Sequence, residues 1–126
     1  MKINAQLHPQ DEERVLTKAI LRLAGFLELS GKDLSETLGI SEATVTRLHQ
    51  GKKWINPHSK EGEMALLLLR IYRSLNALVG NHHDKAKLWL HAPNQAFQLE
   101  TPLKHMKNVS GLVEVAQYLD AMRGKL

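Results

Sequence analysis

The hydrophobic residues recur at helical spacing along almost the whole chain after the first ten residues. Acidic residues at 11–13 precede the first apolar stripe, as favours a helix N-terminus. The predicted helices cover residues 11–29, two short segments within 30–53, residues 59–79, 85–90, a short helix beginning at Pro102, and 110–123. No segment alternates with the period of a strand, so the pattern predicts an all-α fold.

The predicted helix at 59–79 carries more apolar surface than a small core requires. Its main stripe is Met64, Leu68, Ile71, Leu75 and Leu78, and a second stripe beside it is Ala65, Leu69, Tyr72 and Val79. One stripe can close a core, whereas two also suit a partner surface. A buried central helix and a dimer interface both remain open.

Residues 30–53 indicate two short helices joined by a sharp turn. Ser30 and Asp33 fit the capping-box pattern, which satisfies free N–H groups at the start of a helix. Gly39 follows the first helix, where a turn requires a backbone with positive φ. This arrangement is typical of a helix-turn-helix motif, and two ordinary helices of a bundle are the alternative.

The second short helix is capped by Ser41, and Val45 and Leu48 are its predicted buried face. A short helix with small, hydrogen-bonding side chains on its outer face suits the major groove of DNA. The predicted DNA-binding residues are Ser41, Glu42, Thr44, Thr46, Arg47, Gln50, Lys52 and Lys53. Because one short helix reads few base pairs, we expect a homodimer on a palindromic operator in double-stranded DNA.

Composition permits this interpretation without demonstrating it. The chain has 126 residues, is 43% hydrophobic and 24% charged, and has a formal net charge of +4. Basic residues gather at 47–60, where acids are few, as phosphate contacts would require. A solvated surface is the alternative for this cluster.

Other classes of function find little support. Cysteine is absent, which excludes disulfides and thiolate metal sites. The start lacks the apolar run of a signal peptide, and the longest apolar run, residues 64–69, is too short to span a membrane, so we expect a cytoplasmic protein. His82, His83 and His91 lack a fixed ligand spacing, and no nucleophile or phosphate-loop motif appears. We therefore expect neither catalytic residues, nor a metal, nor a cofactor.

The C-terminal half carries a second pattern. Its members are Leu88-Trp89-Leu90, Pro93-Asn94, Phe97, Thr101-Pro102-Leu103, Met106, Gly111, Val115, Tyr118-Leu119-Asp120 and Arg123-Gly124. Their order and spacing resemble the toxin-binding domain of the Xre/MbcA/ParS antitoxins, and the upstream helices resemble that family's Xre-type helix-turn-helix domain. Residues 80–84 break the helical pattern, and we place the domain boundary there. With that boundary, the resemblance implies a DNA-binding domain at 1–79 and a compact helical toxin-binding domain at 80–126.

The resemblance further implies the antitoxin of a bacterial type II toxin–antitoxin pair. Family partners are RES-domain toxins that consume NAD, and the antitoxin masks the toxin's active site and represses the shared promoter. Where many relatives have a glycine-rich turn and an arginine before the proline, this chain has Gln98-Leu99-Glu100-Thr101. This difference affects the shape expected for that loop, and so which toxin the loop fits.

The expected toxin-binding residues lie in this loop and at the C-terminus. They are Asn94, Gln95, Gln98, Leu99, Glu100, Arg123, Gly124, Lys125 and Leu126. A stand-alone repressor whose C-terminal half serves dimerisation is the main alternative. An interaction module that has lost DNA binding is a further alternative, against which the basic residues near Arg47 argue.

Overall fold

The structure is a computed structural model that describes residues 8–125. Its helices are α1 (Pro9–Phe26), α2 (Gly31–Leu38), α3 (Glu42–His49), α4 (Lys60–Leu78), α5 (His83–His91), α6 (Pro102–His105) and α7 (Val109–Arg123), with a single 3₁₀ turn at Gln95–Phe97. The described residues contain no strand, so the predicted all-α fold is confirmed.

Polar caps set where most helices begin. The side chains of Ser30, Ser41, Ser59, Thr101 and Asn108 each accept a hydrogen bond from a backbone N–H group in the first turn of the next helix. Such caps satisfy donors that the helix itself cannot pair. The cap at Asn108 starts α7 at Val109, one residue before the predicted start. Helix α5 also differs from the prediction, since it extends to His83 and His91 at its two ends.

Helix α4 lies at the centre of the molecule. It packs most extensively against α7 and also against α1, α2 and α5. Leu68, Ile71 and Leu75 of the main stripe are fully buried, and Leu69, Tyr72 and Val79 of the second stripe are half-buried. The burial of both stripes within one chain favours the central-helix interpretation over a dimer interface.

One hydrophobic cluster joins the helices before and after α4. It includes Leu23 and Leu34 from the N-terminal half, and Leu90, Met106 and Leu112 from the C-terminal half. The close approach of α6 and α7 depends on Gly111, because a Cβ atom there would lie 1.7 Å from the His105 carbonyl oxygen. The core is therefore continuous across residue 80, where the sequence suggested a division.

Candidate DNA-binding and toxin-binding surfaces

Helices α2 and α3 form the predicted turn through a capping box and a left-handed glycine. Ser30 Oγ accepts from the Asp33 N–H at 3.0 Å, and Asp33 Oδ2 accepts from the Ser30 N–H at 3.0 Å. Gly39 has a φ of 72°, and the N–H of the next residue, Ile40, donates to the Ser35 carbonyl at 3.0 Å. The turn sets α3 against α2, with Val45 and Leu48 buried as predicted.

The outer face of α3 and the turn after it are open to solvent. The exposed predicted residues are Ser41, Glu42, Thr46, Arg47, Gln50, Lys52 and Lys53. His49, which we expected near the phosphates as part of the basic cluster, is also exposed on this helix. Ala43 is exposed too and was missed, because alanine does not signal base contact by itself. The face thus offers one arginine, several hydrogen-bonding groups and a small residue to a groove.

The prediction that Thr44 points outward is wrong. Thr44 is only 8% exposed, because it lies one turn before buried Leu48 and beside buried Val45. Its Oγ1 lies 2.8 Å from Ser41 Oγ and accepts a hydrogen bond from Arg47 Nη2 at 3.2 Å. Thr44 therefore orients Arg47 from beneath.

The lysines after α3 are carried on an anchored loop. The Ile55 N–H, just beyond them, donates to the buried Thr17 Oγ1 of α1 at 2.8 Å. The guanidinium of Arg14 lies 5.4 Å from the centroid of the Trp54 ring, within cation–π range. These contacts hold residues 54 and 55 against α1, directly after the exposed Lys52 and Lys53.

The loop between α5 and α6 is closed by its own backbone. The Asn94 carbonyl accepts from both Phe97 and Leu99 N–H groups at 3.0 Å, and the Asn94 N–H donates to the Glu100 carbonyl at 3.0 Å. Gln98 and Leu99 have φ values of 57° and 68°, in the left-handed region. The 94–100 loop, which comprises residues 94–100, is thus a compact turn closed by backbone hydrogen bonds.

Side chains of the 94–100 loop divide into anchors and exposed groups. Phe97 is buried and packs edge-on against Trp89 and Tyr118, at centroid distances of 6.2 and 5.3 Å. Asn94 is half-buried, and its Oδ1 accepts from the Ala96 N–H. Gln95, Gln98 and Leu99 are exposed and available for contact with a partner.

Glu100 is engaged within the chain. Its Oε1 lies 3.1 Å from His105 Nδ1, and Glu114 Oε2 lies 2.6 Å from His105 Nε2. The hydrogen bond to Glu114 raises the pKa of His105, burial opposes this, and the bond to Glu100 adds to the rise. A protonated His105 offsets part of the negative charge of Glu100, one of the expected toxin-binding residues.

The last helix is fixed to α4 by a polar cluster. Asp120 accepts hydrogen bonds from Arg70 and from Ser74 Oγ, the latter at 3.0 Å. The bond from Arg70 lowers the pKa of Asp120, which burial alone would raise. Arg123 Nη1 donates to Ser74 Oγ at 3.2 Å, so Arg123 has a structural partner. Gly124 and Lys125 are exposed, and Leu126 lies outside the described residues.

Two of the histidines considered as metal ligands, His83 and His91, contact other groups. His83 stacks on Phe26 at a centroid distance of 4.1 Å, and its Nε2 lies 3.1 Å from the Tyr72 hydroxyl. Within residues 8–125, no three His, Cys, Asp or Glu side chains are grouped so that they could hold a metal ion. No helix of that same stretch has the length and apolar character that crossing a membrane requires.

Comparison with known families identifies both halves. A model of the antitoxin Xre-like helix-turn-helix domain matches residues 6–70, just over half of the chain. A model of the antitoxin Xre/MbcA/ParS C-terminal toxin-binding domain matches residues 74–125. The chain belongs to the Xre/MbcA/ParS antitoxin family. No curated protein matches it significantly.

In this antitoxin the two matched segments meet inside α4, between residues 70 and 74. The predicted division at residues 79 and 80 falls after the end of that helix and stays a prediction. Contacts outside α4 also join the halves: among them, Lys107 Nζ lies 2.8 Å from Asp33 Oδ1, and His91 Nε2 donates to the Leu27 carbonyl at 3.0 Å. The toxin-binding domain of the antitoxin is therefore attached to the first helix of its DNA-binding motif.

Proposed function

We propose that this antitoxin neutralises a RES-domain toxin that consumes NAD, by masking the toxin's active site with its C-terminal half. We further propose that α3 binds operator DNA and represses transcription of the toxin–antitoxin operon. The succession of an Xre-like helix-turn-helix match and a toxin-binding match in one short chain carries the proposal. Both activities are binding functions, and we assign no catalytic residue, metal or cofactor to the chain.

For DNA, Arg47 is the residue on which sequence choice depends. Its guanidinium is exposed on α3 and oriented by Thr44, and arginine commonly makes a bidentate contact with guanine in the major groove. Lys52 and Lys53 follow α3 on the anchored loop and would contact phosphates, which carry no sequence information. Thr46 and Gln50 add hydrogen-bonding groups on the same exposed face.

A homodimer on a two-fold operator would place two copies of α3 in successive major grooves. Because the apolar stripes of α4 are buried or half-buried within the chain, its exposed edge at Leu66 is what remains of the proposed interface. Leu66, 46% exposed, borders an apolar groove with Val15 of α1, which is 56% exposed, and with Leu69. A second copy covering this groove would bury Val15 and Leu66, the most exposed large hydrophobic side chains of α1 and α4.

For the toxin, the proposed contacts are the exposed side chains of the 94–100 loop and the C-terminal residues. A site that accepts the pyrophosphate of NAD should be basic, so it would attract a carboxylate. Glu100 is less suited to this role than the sequence suggested, since His105 engages it. The exposed residues Gly124 and Lys125, together with Leu126 after them in the sequence, are the second proposed contact.

Co-expression with the product of the neighbouring gene, which we expect to be a RES-domain toxin, tests the toxin function. The intact chain should restore growth and co-purify with the toxin. Deleting residues 124–126 leaves Arg123 and its bond to Ser74 in place, so the fold should be kept while growth rescue weakens. Full rescue by the truncated chain would exclude the tail as the masking element, and failure of the intact chain to bind would exclude the proposed function.

Gel-shift titrations on the upstream promoter test DNA binding separately. Arg47→Ala should reduce discrimination between the operator and a scrambled site, by about 1–3 kcal/mol. Lys52→Ala should weaken both complexes alike and reduce the salt dependence of binding. If both variants keep the affinity and the salt slope of the wild type, α3 is not the reading helix.

A further inference from the structure

Leu99 occupies a position that the folded chain itself does not explain. Its φ is 68°, a left-handed conformation that glycine adopts freely and that a side chain with a Cβ atom disfavours. Yet its side chain is 67% exposed, so burial in the core does not compensate the backbone cost. Among the described non-glycine residues with positive φ, Leu99 alone has an apolar side chain, and contact with a partner is what that exposed side chain could gain.

The 94–100 loop holds this side chain in place. Hydrogen bonds at 3.0 Å from Leu99 N–H to the Asn94 carbonyl and from Glu100 N–H to the Phe97 carbonyl enclose residue 99. Phe97, only 5% exposed, fixes the loop to the C-terminal core. The leucine is thus presented to solvent on a closed turn, and an apolar group held in its bound position loses little entropy when it docks.

We infer that Leu99 is the apolar anchor of the toxin complex and inserts into a hydrophobic pocket on the toxin. This inference rests on the proposed function, and the toxin is the occupant because residues 74–125 match a toxin-binding domain. Truncating a residue that fills a pocket at the centre of an interface is among the changes that reduce affinity most. Leu99 therefore determines which toxin the antitoxin fits, independently of the C-terminal tail.

Leu99→Gly and the control Asn81→Gly separate this role from a structural one. Both substitutions place glycine at an exposed left-handed residue, and Asn81 lies outside the proposed contacts, so neither should lower the melting temperature by more than about 1 °C. Leu99→Gly should weaken binding to a catalytically inactive RES-domain toxin by about tenfold to a hundredfold. Asn81→Gly should bind within about threefold of the wild type.

Two further variants test the chemistry of the anchor. Leu99→Asn keeps a residue that tolerates positive φ but removes the apolar group, so it should bind as weakly as Leu99→Gly. Leu99→Met keeps an apolar group of similar size and should bind nearly as tightly as the wild type. Dissociation constants from calorimetry and melting temperatures from circular dichroism are the readouts.

Several results would overturn the inference. If wild-type antitoxin binds the toxin and Leu99→Gly binds equally well, the proposed function stands and the anchor is excluded. A marked fall in the melting temperature of Leu99→Gly would assign the leucine to loop stability instead. If the wild type does not bind the RES-domain protein at all, the proposed function and the anchor both fail.

Discussion

Replacing Lys107 with methionine tests the contact that joins the two halves. Lys107 Nζ lies 2.8 Å from Asp33 Oδ1 and 3.7 Å from Glu36 Oε1, so one ammonium group serves both carboxylates of α2. Asp33 also belongs to the capping box that starts α2. Methionine keeps the length of the lysine stem but lacks the ammonium group. The change in stability therefore reports the contribution of the ion pair.

The expected loss of stability follows from the partial burial of this pair. The side chains of Lys107 and Asp33 are 21% and 23% exposed. A hydrogen bond to a charged group contributes about 1.5–3 kcal/mol when buried and less when solvent screens it. Because Ser30 still donates to Asp33, we expect the free energy of unfolding to fall by about 1 kcal/mol, or a melting-temperature decrease of about 4 °C for a chain of this size.

The effect should depend on pH in a defined direction. Burial raises the pKa of Asp33, but hydrogen bonds from Lys107 and Ser30 outweigh it, and the pKa lies below its ordinary value of 3.8. A lowered pKa in the folded state stabilises the protein above the unfolded pKa, and this stabilisation is lost as pH falls through the folded pKa. The difference between wild type and Lys107→Met should therefore be full at pH 6 and shrink below pH 3.8.

Urea denaturation at several pH values, with a double-mutant cycle, measures this contribution. Asp33→Asn combined with Lys107→Met should give a coupling free energy of about 1 kcal/mol at pH 6. Lys104→Met, at an exposed position of α6, removes the same charge and serves as the control. Additive effects of the two substitutions, or a difference that does not vary with pH, would refute the reasoning.

Three other predictions concern the sites themselves. Thr44→Val removes the hydroxyl that holds Arg47 and should weaken operator binding about threefold without changing helicity, as gel shifts and circular dichroism would show. His105→Gln should destabilise the fold most near pH 6 and less as pH rises through the folded pKa, because a raised histidine pKa stabilises the folded state at low pH; a constant difference from pH 6 to 9 would contradict this. Gly39→Ala should cost about 1 kcal/mol in urea unfolding, since φ is 72° there, and an unchanged midpoint would show that the turn adapts.

Local chemistry was the part of the fold most readable from sequence. The caps at Ser30 and Ser41 and the turn at Gly39 depend on residues a few positions apart, so a short stretch of sequence predicts them. Thr44 was misplaced because its residue type suggested base contact, whereas its position one turn before Leu48 places it on the buried face.

The contacts that shape the candidate sites are of another kind. Lys107 and Asp33 are separated by 74 positions, and Arg70 and Asp120 by 50, so no local pattern indicates either pair. The left-handed conformation of Gln98 and Leu99 was also unpredictable, because neither residue type signals positive φ. The resemblance indicated only that the sequence of this loop differs from that of many relatives, and the structure shows its conformation.

The continuity of α4 bears on how the two binding functions coexist. Arg70, at the end of the helix-turn-helix match, donates to Asp120 of the last helix, and buried Ser74 contacts both Asp120 and Arg123. A cut at residue 80 would leave the apolar face of α4 without the helix against which it packs most extensively, so the segments before and after it should not fold independently. The predicted division then separates two functions within one folding unit, and a substitution that loosens α7 should weaken operator binding as well as toxin binding.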